Sequence, residues 1–121
     1  MSDYLPRYKD GDTVPVTVGA GGITGGQLIN TTGVLPSDAD VKVAGVAGQD
    51  GAQNAIVTVF RSGLHIATAS GSIANGDPIC AAASGKVRTW VAGTDPVAAR
   101  IGRAWSAATN NTAVTYSLFG V

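Results

Sequence analysis

Ile56-Val57-Thr58-Val59-Phe60 gives a strong strand signal near the middle of this sequence. Four of its five side chains are β-branched and the fifth is aromatic, a composition that suits a pleated strand better than a helix. Residues that favour turns lie on both sides of the stretch, Asn54 before it and Gly63 after it, which predicts a short strand. We therefore predict a strand over residues 55–61, in a protein built of β-sheet.

Short apolar runs of the same kind recur in both directions from this stretch, and no segment shows sustained helical spacing. In the first run Pro15 cannot donate a ladder hydrogen bond, which predicts an edge strand. Ser84-Gly85 predicts a tight hairpin turn. The alanine-rich residues 98–108 leave a helix as an alternative. Besides a strand around His65, the predicted strands cover residues 13–18, 40–46, 55–61, 77–82, 86–91, 98–105 and 112–119.

A weak internal repeat relates the two halves of the chain. Residues 23–29 resemble residues 73–79, since each has Ile, then Gly with a polar residue, then Ile. Six further residues recur 57 positions later: Gly45, Ala47, Asn54, Val57, Thr58 and Gly63 return as Gly102, Ala104, Asn111, Val114, Thr115 and Gly120. We predict a mainly β, single compact domain over residues 13–121, either a small β-barrel or a sandwich of two similar β units.

The first twelve residues have no clear period, and we interpret residues 1–12 as an extended N-terminal arm. Tyrosine and arginine are enriched in interface hot spots, which makes this arm a candidate binding segment. A frayed terminus is the alternative. The candidate contact residues of the arm are Tyr4, Leu5, Pro6, Arg7, Tyr8 and Lys9.

The composition favours contact with other proteins over charge-driven binding. Of the 121 residues 45% are hydrophobic, only 13% are charged, and the formal net charge is zero. Nucleic acid and anionic membranes require a basic surface, and a bilayer requires a longer apolar run than any present, so neither is an expected partner. The N-terminus has no apolar core of a secretory signal, and the single cysteine excludes an internal disulfide. We expect synthesis and assembly in the reducing cytoplasm of the host.

The chain has no motif that predicts catalysis. The glycine-rich residues 19–26 have Thr24 where a dinucleotide loop needs its third glycine, and the residues that follow disfavour a helix. His65 lacks the turn of a hydrolase nucleophile, and with Cys80 alone it cannot form a zinc site. We predict no enzyme activity, no cofactor and no metal, and a buried, inert Cys80. The aspartates should cap turns at Asp38, Asp40, Asp50, Asp77 and Asp95.

Trp90 and Trp105 are the largest apolar side chains of a chain in which only 6% of residues are aromatic. Burial in the core is the default for such residues. An exposed tryptophan would instead mark a subunit contact, so both are candidate contact residues.

The order of turn and strand motifs resembles that of one known family. After the arm come Gly21-Gly22-Ile23-Thr24-Gly25-Gly26-Gln27-Leu28-Ile29, Val43-Ala44-Gly45-Val46-Ala47, Ile73-Ala74-Asn75-Gly76-Asp77-Pro78-Ile79, Ser84-Gly85-Lys86-Val87, Ile101-Gly102-Arg103-Ala104 and Leu118-Phe119-Gly120. This pattern, which runs over nearly the whole chain, is similar to that of the capsid decoration proteins of tailed bacteriophages. These are also called cement or head-stabilising proteins.

The resemblance implies a structural virion protein that binds the outside of the assembled capsid and stabilises it. Its partners would be the major capsid protein and further copies of itself, as a trimer at three-fold or quasi-three-fold positions. Residues 4–9 stand where such proteins have an arm that reaches onto the capsid. The alternative is a receptor- or carbohydrate-binding β module of a phage fibre or tail, which would need a pocket lined with aromatic side chains.

Overall fold

The computed structural model describes residues 13–118, which form nine strands and two short 3-10 turns. The turns are Ala83–Gly85 and Val97–Ala99. No helix in this part of the chain is long and apolar enough to cross a bilayer. The strands are β1 Thr13–Thr17, β2 Leu28–Asn30, β3 Val43–Ala47, β4 Ile56–Phe60, β5 Gly63–Thr68, β6 Pro78–Ala81, β7 Val87–Thr89, β8 Arg100–Ala104 and β9 Ala113–Leu118.

All strand pairs are antiparallel and belong to two sheets. The first sheet has the order β1-β4-β3-β2 and the second the order β5-β9-β8-β6-β7. The mainly β prediction is confirmed. The barrel alternative is wrong, because within the described residues each sheet has two edge strands. A single bridge from Ala69, just after β5, to Val87 of β7 joins the two edges of the second sheet at one point and does not close it into a barrel.

The predicted strands are confirmed in position, and Pro15 lies on an edge strand as predicted. The sequence patterns do not predict β2, because three residues are too few to show alternation. The helical alternative for residues 98–108 is wrong. Only one 3-10 turn, Val97–Ala99, precedes β8, which is paired with a strand on each side and buries Ile101 and Ala104. Sheet pairing and burial here outweigh the helix preference of alanine.

The internal repeat corresponds to two units with the same strand order. The first unit is β1-β4-β3-β2 and the second is β5-β9-β8-β6, to which β7 is added at the edge. The pairing register agrees as well. Ile29 lies opposite Gly45 with an irregularity directly after Ile29, and Ile79 lies opposite Gly102 with an irregularity at the same place. The added hairpin of β7 is therefore the main difference between the units.

Equivalent turns also close the two units with the same hydrogen bonds. Ile23 and Gly51 exchange two backbone hydrogen bonds in the first unit. Ile73 and Ala108 exchange two in the second. The similarity between residues 23–29 and 73–79 thus reflects one turn used twice.

The core consists of two clusters of buried side chains that share the first sheet. Leu28 and Val46 of this sheet belong to the cluster built mainly by the second unit. Their neighbours in sequence, Ile29 and Ala47, belong to the cluster of the first unit. Successive side chains of a strand point to opposite faces. Both faces of the first sheet therefore border a core cluster, and the two units form one packed body.

Candidate functional site

The glycine-rich residues 19–26 form turns within the sheet framework. They connect β1 to β2, so a strand stands where a nucleotide-binding loop needs a helix. The Ile23 amide donates to the carbonyl oxygen of Gly51 at 2.8 Å, and the Gly25 amide donates to Oδ1 of Asp50 at 2.8 Å. Backbone donors that would face a phosphate in a nucleotide site are here used to hold the loop.

His65 and Cys80 both lie on strands, where His65 makes a hydrogen bond and a ring contact and Cys80 is part of the core. His65 Nε2 donates to the carbonyl oxygen of Ser62 at 2.9 Å, and its ring centroid is 6.0 Å from that of Phe60. Cys80 is fully buried, as predicted. Burial raises the pKa of its thiol to about 11, so the group stays protonated at neutral pH.

Four of the five predicted turn aspartates accept hydrogen bonds from the backbone. Burial opposes ionisation of Asp40, but hydrogen bonds from Lys42, Asn30 and Ser37 outweigh it and lower the pKa of this carboxyl. The other backbone donors are Gly25 to Asp50, Ala74 to Asp77 and Val91 to Asp95. Among the residues that the structure describes, no three His, Cys, Asp or Glu side chains group as metal ligands do.

The fifth aspartate, Asp38, binds Arg88 and so joins the two units. The Arg88 guanidinium contacts both carboxylate oxygens of Asp38 and both of Asp95, with shortest distances of 2.8 Å to each. These bonds raise the pKa of Arg88 and lower that of Asp95 to about 2. In the same loop the indole of Trp90 donates to the carbonyl oxygen of Pro96 at 2.8 Å. Trp90 is half-buried and stiffens this loop.

An exposed apolar surface lies on the second sheet. Leu64 and Ile66 of β5 are 60% and 66% exposed, and Trp105 is 59% exposed. Ile66 stands opposite Thr115, whose carbonyl oxygen accepts the Trp105 amide at 2.8 Å. Arg103, two residues earlier, shares the cross-strand row of Leu64, so alternation places Trp105 on the face of Ile66. We call Leu64, Ile66, Thr115 and Trp105 the β5 surface.

The free edge of β5 adjoins this surface. The Ala69 amide donates to Thr112, and the Asn111 amide donates to Ala69, so the backbone groups of Ala69 point toward β9. Backbone groups alternate in direction along an antiparallel strand. Those of Leu64 and Ile66 therefore point away from β9, to the side where the sheet ends.

A groove of about 340 Å³ runs along the second half of this edge. Three consecutive residues of β5 line it, beginning with Ile66. The loop at Gly25 and Gly26 and the hairpin that ends at Lys86 form its other walls. Lys86 is the one charged side chain in this lining, and its Nζ donates to Asn111 Oδ1 at 2.7 Å.

The N-terminal arm, residues 1–12, lies outside the described residues, so its predicted contacts stay predictions. Its point of attachment is described. Thr13 pairs with Phe60, and the ring of Phe60 contacts that of His65 in β5. The chain therefore enters the domain next to the strand that carries the β5 surface.

The sequence named Trp105 of this surface as a candidate contact, together with Trp90, and these contacts stay predictions. It did not indicate Leu64 and Ile66. The missed signal was the apolar alternation around His65, combined with the repeat. Ile66 takes the same place in β5 that Pro15 takes in β1. Because Pro15 predicts an edge strand, the repeat predicts an edge strand at Ile66 as well. Fold and surface together define a class: a duplicated all-β protein with an exposed strand edge and exposed apolar side chains.

Comparison with known proteins agrees with this class. The phage cement protein family matches residues 8–118, and the chain belongs to this family. Its fold is similar to that in the crystal structure of the head fiber gp8.5 N base in bacteriophage phi29, with a TM-score of 0.63 and 16% identity. That similarity covers 88% of this chain and 92% of that chain, and at this identity it shows the fold alone. No curated protein matches the sequence. The chain is a capsid-associated structural protein of a bacteriophage.

Proposed function

We propose that this protein binds the outer surface of the assembled phage capsid and stabilises the shell, as a trimer at three-fold or quasi-three-fold positions. Its partners are then the major capsid protein and its own copies, and it acts without catalysis. The observation that carries the proposal is membership of the phage cement protein family over residues 8–118. The exposed β5 surface supports it by offering apolar contact area on a rigid sheet.

Stabilisation follows from preferential binding to the assembled state. A ligand that binds the shell and not its separate subunits lowers the free energy of the shell by mass action. Many weakly bound copies on one lattice add avidity without strong single contacts. The sparse charge of the chain, 13% of residues, limits the desolvation cost of such contacts.

We propose the N-terminal arm as one capsid contact, with Tyr4 and Tyr8 as anchors and Arg7 paired with an acidic capsid residue. Its attachment at Thr13, paired with Phe60 next to β5, would let the arm and the β5 surface act on the same partner. An arm that pairs with a strand edge of the capsid protein would add main-chain hydrogen bonds.

The experiment is co-sedimentation of purified protein with expanded, undecorated capsids. We expect the full chain to sediment with the capsids, and a variant lacking residues 1–12 to remain folded and lose most of its binding. Unfolding temperature, measured by circular dichroism, is the control for folding of the truncated chain. Undiminished binding of that variant would contradict the role of the arm, and failure of the full chain to bind would contradict the proposed function.

The alternative of a carbohydrate- or receptor-binding module has less support. The groove along β5, the groove at Val14 and Val16 and the groove at Gly21 and Gly22 have no aromatic side chain in their linings. Sugar-binding pockets rely on aromatic stacking and convergent polar groups. Light scattering measures the oligomeric state of the purified protein in solution. A trimer there agrees with the proposal, and so does a monomer that forms trimers only on capsids.

A further inference from the structure

We propose that the free edge of β5 binds an extended segment of the major capsid protein, which adds a strand to the second sheet. This inference rests on the proposed function, because it takes the capsid protein as the partner. It assigns a second contact, distinct from the N-terminal arm, in which this protein is the acceptor of a strand.

The backbone of β5 is suited to accept a strand. At Leu64 and Ile66 the amide and carbonyl groups point away from β9, by alternation from the hydrogen bonds of Ala69 with Thr112 and Asn111. The open part of the edge ends before Ala69, which bridges Val87 of β7, and the Ser70 amide donates to the Val87 carbonyl oxygen at 2.7 Å. β5 is the terminal strand of its sheet, and its six residues include no proline and no charged side chain. Natural edge strands are usually protected by such residues, so an unprotected apolar edge favours pairing with another chain.

The equivalent edge strand of the first unit, β1, is blocked by a proline. The Val18 amide donates to the Ala55 carbonyl oxygen in the same way as the Ala69 amide donates to that of Thr112. Three residues before each donor, Pro15 in β1 and Ile66 in β5 are therefore equivalent. Proline has no amide hydrogen and cannot donate to an added strand. The same scaffold thus has one edge blocked by Pro15 and one edge open at Ile66.

The groove along the edge determines the kind of occupant. The loop at Gly25 and Gly26 and the hairpin at Lys86 form its walls, and the hydrogen bond from Ser70 to Val87 closes the end past Thr68. We infer that a space of about 340 Å³ bounded on these sides accepts a short stretch of one extended segment more readily than a second sheet. A strand from the capsid protein therefore fits better than β5 of another copy. We expect the segment to have apolar side chains over Leu64 and Ile66 and an acidic side chain near Lys86.

The test is a measurement of capsid affinity for two variants, Ile66→Pro and Ile66→Lys, against the full wild-type chain. Ile66→Pro copies the proline of the first unit, and Ile66→Lys puts a charge on the edge. The matched control is Ile56→Lys, the same substitution at an isoleucine that is 67% exposed on the interior strand β4. Both Ile66 variants should bind about tenfold more weakly: Ile66→Pro loses one edge hydrogen bond, and Ile66→Lys replaces the apolar contact with a charge that must be desolvated. Ile56→Lys should bind as the wild type does.

Three readouts separate the outcomes. In the wild-type complex the amides of Leu64 and Ile66 should exchange hydrogen more slowly than in the free protein. Wild-type affinity of both Ile66 variants, or unchanged exchange at these amides, would overturn the strand-addition proposal while leaving the proposed function in place. The strand-addition proposal would also be overturned if the Ile66 variants bound capsids normally but no longer associated with one another. In that case the β5 edge would join copies of this chain. Absence of binding by the wild type would overturn the proposed function itself.

Discussion

Ile66 in β5 occupies the position that Pro15 occupies in β1. Both residues lie on an edge strand, both have their backbone groups directed away from the sheet, and the two strands pair with their partners in the same register. Of the two equivalent edge strands, β1 is thus blocked by a proline and β5 is open at Ile66.

Gly102 and Gly45 are predicted to be intolerant of a side chain. A Cβ at Gly102 would lie 1.7 Å from the carbonyl oxygen of Ser117, and one at Gly45 would lie 2.1 Å from that of Phe60. Backbone cannot move aside cheaply within a ladder, so Gly102→Ala and Gly45→Ala should each lower the free energy of unfolding by about 3 kcal/mol, the upper end for overpacking. Urea denaturation measures the change.

Gly71→Ala is the matched control, because a Cβ there would meet nothing within 4 Å. Its positive φ of 81° leaves only the backbone penalty, about 1 kcal/mol. Equal destabilisation of Gly71→Ala and Gly102→Ala would show that the close approach at Gly102 has no energetic effect.

Tyr116→Phe should leave stability unchanged or raise it by up to about 1 kcal/mol. The Tyr116 hydroxyl is fully buried and has no hydrogen-bond partner among the described residues, so its removal relieves a desolvated polar group. Ser106→Ala is the comparison, since Ser106 Oγ accepts the Thr115 amide at 3.0 Å and its loss should cost about 1 kcal/mol. Thermal unfolding gives both values, and a marked loss for Tyr116→Phe would point to an ordered water on the hydroxyl.

Asp95 should make stability depend on pH in the acid range. The hydrogen bond from Arg88, followed by that from the Val91 amide, lowers the pKa of Asp95 from 3.8 to about 2. A carboxyl with a depressed folded-state pKa stabilises the protein above its unfolded pKa and loses that effect as the pH falls through the folded value. The gap in unfolding temperature between wild type and Asp95→Asn should therefore narrow as the pH falls from about 4 to about 2. A gap that stays constant over this range would contradict the assignment.

Cys80 should react with thiol reagents only when the protein unfolds. The side chain is fully buried and its pKa is raised to about 11, so both access and thiolate are lacking at neutral pH. Labelling in native buffer should be slow and should become rapid in denaturant. Rapid stoichiometric labelling of the native protein would mean that the strand around Cys80 opens readily.

Local patterns predicted most of the fold, and tertiary pairing determined the rest. Ile56-Val57-Thr58-Val59-Phe60 and Pro15 act through strand chemistry that is visible in sequence. Asn54 and Asn111 recur because each takes a left-handed backbone conformation, with φ of 75° and 66°, at the same turn. The three residues of β2 carry no period of their own and become a strand only by pairing with β3.

The candidate site was less predictable for a physical reason. Leu64 and Ile66 are apolar, and alternation alone suggests that apolar side chains face a core. Only the strand order shows that their face has no sheet packed on it and that their edge is free. Trp105 was identified because large aromatic side chains are rare in this chain, which is a compositional signal independent of packing.

Electron cryo-microscopy of expanded capsids incubated with the wild-type protein would locate the bound copies. We expect additional density on the outer surface at three-fold or quasi-three-fold positions, with the β5 edge of each copy next to an extended segment of the capsid protein. Shells that remain bare at saturating protein concentration, or added density on the inner surface, would contradict this expectation.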